Sequence, residues 1–124
     1  MHNSELLQKD WHLYVADMIG FATKVLTYTN GLNQEKFIAS KLNYDATMRN
    51  LSMLSEAAMN IPKQVRAFDS QTNWQLIIGI HYQLIHSYWA IKNDVVWNII
   101  QSEIPVLPEQ LHALKKAADE DQIR

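Results

Sequence analysis

The chain has 124 residues, with 11 Lys and Arg against 13 Asp and Glu, 48% hydrophobic residues and no Cys. This size and composition fit one folded domain, and the lack of Cys excludes disulfides, thiolate zinc sites and cysteine nucleophiles. Three Gly and three Pro are fewer than half of average usage, so the chain lacks the turn residues of a many-stranded β protein. A few long helices are predicted. No basic segment followed by an apolar one opens the sequence, which favours the cytoplasm.

The first predicted helix carries a continuous apolar stripe, whose members recur at spacings of three and four residues. Asn3 or Ser4 can cap its start, and Asn30 and Gly31 can close it. The aromatic members of the stripe are interpreted as core rather than as a ligand platform. The stripe consists of Leu7, Trp11, Tyr14, Met18, Phe21, Val25 and Tyr28.

Two helices are predicted next. Asn33 can cap a short helix that runs to about Ser40. Asn43 or Asp45 can cap a longer helix, which Pro62 ends because its ring and missing N–H cannot continue the hydrogen-bond ladder.

The following segment, 70–91, contains no Asp, Glu, Lys or Arg and approaches the length of a membrane span. It holds too many polar residues for lipid, so burial against protein, including a second subunit, is the better interpretation. The helix in this segment is expected to be the most buried element. Its polar residues are Gln71, Asn73, Gln75, His81, Gln83 and His86.

The last two predicted helices begin near Asn93 and Pro108, and Pro105 separates them. The final helix has an apolar stripe, and residues 119–124 form a polar tail that is expected to fray. The predicted fold is therefore all-α: an up-and-down helical bundle of about four long helices plus short ones, with residues 1–118 as one domain. The stripe of the last helix is Leu107, Leu111, Leu114 and Ala118.

The sequence predicts no metal or cofactor site. None of the five His lies in a His-Glu-x-x-His pattern, and no Gly-rich phosphate loop or Gly-x-Ser-x-Gly turn is present. His81 and His86 are five residues apart, about 140° around a straight α-helix, which makes them poor joint ligands.

The segment 79–88 nevertheless places two His and two Tyr in a helix without charge. One interpretation is a pair of hydrogen-bonded core histidines. The other is acid–base chemistry near neutral pH, where imidazole titrates.

Short matches spread over most of the chain make it resemble the HepT-like toxins of the HEPN superfamily. These are small all-α ribonucleases that occur beside a minimal nucleotidyltransferase antitoxin. Each match is weak alone, but their order and spacing are specific. They are Asp17-Met18-Ile19, Arg49-Asn50-Leu51, Glu56-Ala57-Ala58, Pro62, Trp74, Ile77-Ile78-Gly79, Leu84-Ile85-His86-Ser87-Tyr88, Ile91, Val96-Trp97 and Ile104-Pro105 with Leu107.

The family motif is Arg, four residues, His, any residue, Tyr. His86 and Tyr88 fall on its His and Tyr, whereas His81 stands at the Arg position and Tyr82 follows it. The resemblance implies metal-independent RNA cleavage with His86 in proton transfer. It implies that Tyr88 positions the phosphate and accepts AMP from the antitoxin. It also implies a homodimer with the motif in the cleft between protomers.

Helix geometry adds a constraint on the three motif residues. On a straight α-helix His81 and Tyr88 share a face and His86 points away, so either the helix breaks near His86 or two chains complete the site. The exchange of Arg for His leaves two outcomes open. His81 acts as a second acid–base group, or activity is reduced and a partner-binding protein remains.

RNA binding requires local positive charge, since the formal net charge is −2. Arg49, Lys63 and Arg66 are candidate phosphate-binding residues. For Arg49 an ion pair with Glu56 or another acid is the alternative.

Overall fold

The computed structural model describes residues 10–85 and 91–123 of the chain, and these residues form seven α-helices and one π-helical segment. No strand occurs in these residues, so the predicted all-α bundle is confirmed. The helices are α1 (Trp11–Thr29), α2 (Gln34–Ala39), α3 (Lys41–Met59), α4 (Lys63–Arg66), α5 (Trp74–Gly79), the π segment (Ile80–Ile85), α6 (Asn93–Ser102) and α7 (Leu107–Ile123).

The three longest helices pack together, with α1 against both α3 and α7. The side chain of Asn43, in the first turn of α3, donates to the Tyr28 carbonyl near the end of α1. His12, at the start of α1, contacts Asp119 near the end of α7. Both contacts join opposite ends, so α1 is antiparallel to each neighbour, as in an up-and-down bundle.

The buried residues follow the predicted apolar stripes, except that the buried face of α1 is displaced from the predicted aromatic residues. All four predicted stripe residues of α7 are buried. In α1 the buried face is centred on Val15, Met18, Ala22 and Val25, while the predicted aromatic residues are partly buried at its edge. The aromatic side chains therefore border the core rather than fill it.

Two predicted helix starts are wrong. Asp10 caps α1 by accepting from the His12 N–H, whereas Asn3 and Ser4 lie outside the described residues. Helix α3 begins at Lys41 and not after Asn43 or Asp45. Asn43 is used in tertiary contact, since it bonds Tyr28 and accepts from the Ser40 hydroxyl.

The predicted starts of α2, α6 and α7 agree with the structure to within one residue. Asn33 and Asn73 accept from backbone N–H groups in the first turns of α2 and α5. Gly31 has φ of 77°, the left-handed conformation expected after the end of α1.

The expectation that the central helix is the most buried element is wrong for its described part. Ile77 and Ile80 are buried, but Trp74 and Ile78 are only partly covered and Tyr82 is 61% exposed. One face of this segment is therefore uncovered in the single chain.

The last helix continues to Ile123, so the segment expected to fray is helical through 119–123. None of the described helices combines the length and apolarity needed to cross a membrane.

Candidate functional site

The helix that carries the motif leaves α geometry before it reaches His86. Helix α5 ends at Gly79, and Ile80–Ile85 form a π-helical segment. In a π-helix the backbone hydrogen bonds join residues five apart, and such segments occur frequently at functional sites. The premise of a straight α-helix therefore fails at Ile80. His86 and Tyr88 themselves lie outside the described residues.

His81 lies at the start of the π segment and is held by two serines of α3. Its Nδ1 lies 2.6 Å from the Ser52 Oγ. Its backbone N–H donates to the Ser55 Oγ at 3.3 Å. Ser55 is fully buried and donates to the Ile78 carbonyl at 2.7 Å. The ring and the backbone of His81 are therefore both anchored to α3.

Ser52 also lines an open groove of about 550 Å³ on the outer face of α3, together with Met48, Arg49, Met53 and Glu56. Arg49 and Ser52 are three residues apart, so their side chains are neighbours on one helix face. The structure thus brings Arg49 to the face of α3 that contacts His81.

Arg49 is exposed, and among the described residues no carboxylate lies within ion-pair distance of its guanidinium. The alternative prediction of an ion pair with Glu56 is wrong within that part of the chain. Glu56 lies seven residues further along α3, about 10 Å along the axis. The described lining of the groove therefore contains one cation, Arg49, and one carboxylate, Glu56, which do not form an ion pair.

Lys63 and Arg66 are placed elsewhere. Both belong to α4, which follows the end of α3. That end of α3 lies ten residues and about 15 Å along the helix from Arg49. The Arg66 Nε donates to the Ile61 carbonyl at 3.0 Å, so its guanidinium holds the α3–α4 turn. Of the three predicted phosphate-binding residues, Arg49 is the one that the structure brings to the side of His81.

No pattern in the sequence indicates the role of the two serines. They are 29 and 26 residues from His81, and a serine in the middle of a helix has many ordinary roles. Their part in the site follows from the packing of α3 against α5 and the π segment.

A second histidine, His12, lies at the far end of the bundle. Its Nδ1 lies 2.7 Å from Asp10 and its Nε2 lies 2.6 Å from Asp119, which also accepts from Lys115 at 3.1 Å. The hydrogen bonds to Asp119 and Asp10 raise the pKa of His12 above its usual value. The hydrogen bonds from His12 lower the pKa of both carboxyl groups. We call these residues the His12 cluster.

Within residues 10–85 and 91–123 no three His, Asp or Glu side chains converge as metal ligands would. The polar groups of the site in these residues include His81, its two serines, the cation of Arg49 and the carboxylate of Glu56.

Comparison with known proteins gives one consistent match. The family model "Ribonuclease HepT-like" matches residues 18–114. A protein of Caldanaerobacter subterraneus subsp. tengcongensis named "Putative RNase" is 33% identical over 81 residues, covering 65% of this chain and 72% of that protein. No solved structure matches.

Two archaeal relatives are similar over nearly their whole length. A "Putative RNase" of Methanocaldococcus jannaschii is 25% identical over 113 residues, covering 91% of this chain and 97% of its own. A "Probable ribonuclease HepT" of Thermococcus cleftensis is 25% identical over 103 residues, covering 83% and 94%. The family match includes α3, α5, the π segment and α6.

Proposed function

Because the chain belongs to the HepT-like ribonuclease family, we propose that it is the toxin of a toxin–antitoxin pair that cleaves RNA without a metal ion. Two protomers complete the site at their shared cleft, and a nucleotidyltransferase antitoxin silences it by transferring AMP to Tyr88.

One observation carries this proposal. The residue at the motif's Arg position, His81, contacts Ser52, and Ser52 shares a groove with Arg49. The imidazole of His81 is thus held by a residue of the groove whose lining also includes the guanidinium of Arg49 and the carboxylate of Glu56. Proton transfer and stabilisation of phosphoryl charge are the two functions that RNA cleavage requires.

The reaction is an attack of a ribose 2′-oxygen on the adjacent phosphorus. The 2′-hydroxyl gives its proton to a base, the bond from phosphorus to the 5′-oxygen breaks, and that oxygen takes a proton from an acid. The products are a 2′,3′-cyclic phosphate and a 5′-hydroxyl. We assign proton transfer to His86 and the phosphate contact to Arg49 and Tyr88.

The presence of His81 at the motif's Arg position changes the charge of this site. Arg is charged at every physiological pH and binds phosphate with a planar fork, whereas an ordinary imidazole is mostly neutral above pH of about 6.5. In the proposed reaction His81 is therefore a second acid–base group, and Arg49 supplies the permanent cation.

Silencing follows from the chemistry of Tyr88. Its phenol oxygen attacks the α-phosphorus of ATP, pyrophosphate leaves and the phenol proton is released. The product carries an anionic AMP group, which fills the cleft and repels an RNA phosphate.

A second candidate function is a catalytically impaired protein that serves as substrate and binding partner of the nucleotidyltransferase. The specific observation in its favour is that a His with a serine partner replaces the motif Arg. Both candidates include AMP transfer to Tyr88, and only the first includes RNA cleavage.

Cleavage of a fluorogenic RNA by the full chain, measured across pH with EDTA present, tests the proposal. We expect His86→Ala to lose at least about 100-fold in rate, as removal of an acid–base group does. His81→Arg, which restores the family motif, should cleave at least as fast as the parent and depend less on pH. Equal cleavage by His86→Ala and the parent would overturn the catalytic assignment.

The partner is tested separately by incubation with the candidate nucleotidyltransferase and ATP, followed by mass spectrometry of the Tyr88 peptide. A mass increase of one AMP, absent in Tyr88→Phe, supports the toxin–antitoxin pairing. An unmodified Tyr88 in a verified complex rejects the silencing mechanism.

A further inference from the structure

Two serines on one face of α3 contact opposite parts of the same residue. Ser52 meets the ring of His81, and Ser55, one turn later, meets its backbone. Residues three apart on a helix are neighbours, so the pair forms a short polar row facing the π segment. Ser55 has no exposed surface, which makes its two hydrogen bonds structurally costly to lose.

The contact of Ser55 matches what a change from α to π geometry requires. When the hydrogen-bond offset lengthens from four residues to five, the next N–H points at a carbonyl that already has a partner. One N–H at the junction is then left over. The His81 N–H lies at this junction and donates to Ser55, whose own hydroxyl donates to the Ile78 carbonyl.

The contact of Ser52 fixes the ring. Among the described residues, the Ser52 Oγ forms a hydrogen bond with the imidazole Nδ1 of His81. When the hydroxyl donates to Nδ1, the neutral ring carries its proton on Nε2. A hydrogen bond in this direction fixes both the rotamer and the tautomer of His81.

We propose that Ser52 and Ser55 are positioning residues for RNA cleavage. Ser55 stabilises the start of the π segment that carries His81, and Ser52 orients its ring and holds the proton on Nε2. The catalytic part of this inference rests on the proposed function, whereas the positioning part concerns the folded protein alone.

The experiment pairs a spectroscopic readout with a kinetic one on the full chain. Nitrogen-15 NMR of the histidine rings at about pH 8.5, where an ordinary imidazole is neutral, reports the tautomer. The signals of His81 are identified by their loss in His81→Gln. We expect a dominant Nε2-protonated form in the parent and a larger share of the Nδ1-protonated form in Ser52→Ala.

In RNA cleavage we expect kcat of Ser52→Ala to fall about ten-fold with KM changed less than about two-fold, because orientation and not binding is lost. Ser52→Thr keeps the hydroxyl and should restore both the tautomer and the rate. The matched control is Ser102→Ala, which removes an exposed serine bonded to the Asn98 carbonyl and should change neither.

Ser55 is tested by amide hydrogen exchange at His81. Ser55→Ala removes the acceptor of this N–H, so its exchange should become at least about ten-fold faster, while Ser102→Ala leaves it unchanged.

The outcomes separate the two proposals. If the parent does not cleave RNA, the proposed function fails and the NMR and exchange results alone decide the positioning. If Ser52→Ala retains the His81 tautomer of the parent, or Ser55→Ala leaves the exchange rate unchanged, the positioning by that serine is overturned.

Discussion

Two of the three histidines in the described residues, His12 and His81, have partners of different kinds. His12 lies between the carboxylates of Asp10 and Asp119, with Lys115 beside them. His81 lies against the neutral hydroxyl of Ser52, which lines the groove of α3 together with Arg49 and Glu56. Carboxylates stabilise the imidazolium ion, whereas a hydroxyl can accept from the ring or donate to it.

The two histidines also lie in different kinds of place in the fold. His12 joins the start of α1 to the end of α7, and its partners use both ring nitrogens. His81 lies where a helix changes geometry beside an open groove. The first arrangement joins the start of α1 to the end of α7, and the second anchors a ring to a serine that lines the groove of α3.

The largest effect on RNA cleavage is expected for charge reversal at Arg49, in the groove that Ser52 also lines. Arg49→Glu replaces the groove's cation with an anion, so kcat/KM for RNA should fall at least about 30-fold, the combined loss of a phosphate contact and gain of repulsion. Kinetics at low and high salt measure this, and the loss should shrink as salt rises.

Lys63→Glu is the matched control, since it makes the same charge change in α4, beyond the end of the helix that carries Arg49. Equal losses in Arg49→Glu and Lys63→Glu would mean that net charge and not the groove governs RNA binding.

The second-largest effect is expected for loss of the helix cap at Asn73. Asn73→Ala removes the acceptor for the Leu76 N–H at the start of α5 and should lower the free energy of unfolding by about 1 kcal/mol. Since α5 leads directly to His81, the amide exchange of His81 should also become faster.

Asn33→Ala removes the corresponding cap of α2 and is the comparison variant in the same denaturation series. It should cost a similar amount of stability without affecting His81. A response of His81 to Asn33→Ala and not to Asn73→Ala would contradict the link between α5 and the site.

The smallest expected effect is the pH dependence of the His12 cluster. Because the folded state raises the pKa of His12, its contribution is complete below the unfolded value of about 6.5 and is lost as pH rises through the folded pKa. The lowered pKa values of Asp10 and Asp119 make their contribution complete above about pH 4 and reduce it in more acidic solution.

His12→Gln should therefore lower Tm more at about pH 5.5 than at about pH 9, as differential scanning fluorimetry can measure. All three side chains are partly exposed, so the effect is small and decreases with salt. A loss of Tm that is the same at both pH values would show that packing, and not charge, accounts for the contact.

Local patterns predicted much of the fold. The spacing of Leu107, Leu111 and Leu114 identifies the buried face of α7 because helix periodicity alone decides it. The start of α3 was mispredicted because Asn43 is a good cap residue whose side chain is used instead to bind Tyr28, across 15 residues of sequence.

The site was predicted only in part. The resemblance assigned His81, His86, Tyr88 and Arg49, and the structure brings Arg49 to the face of α3 that contacts His81. The π segment, Ser52 and Ser55 could not be predicted, since they depend on packing between segments more than 25 residues apart. The pairing of His12 with Asp119, across 107 residues, could not be predicted for the same reason.

The most direct test of the central claim compares RNA cleavage by His81→Ala and His12→Ala, each measured under conditions where the variant is fully folded. We predict that His81→Ala loses about 30-fold or more in kcat and His12→Ala less than about two-fold, because only His81 borders the proposed reacting site. Equal rates for the two variants would contradict the account.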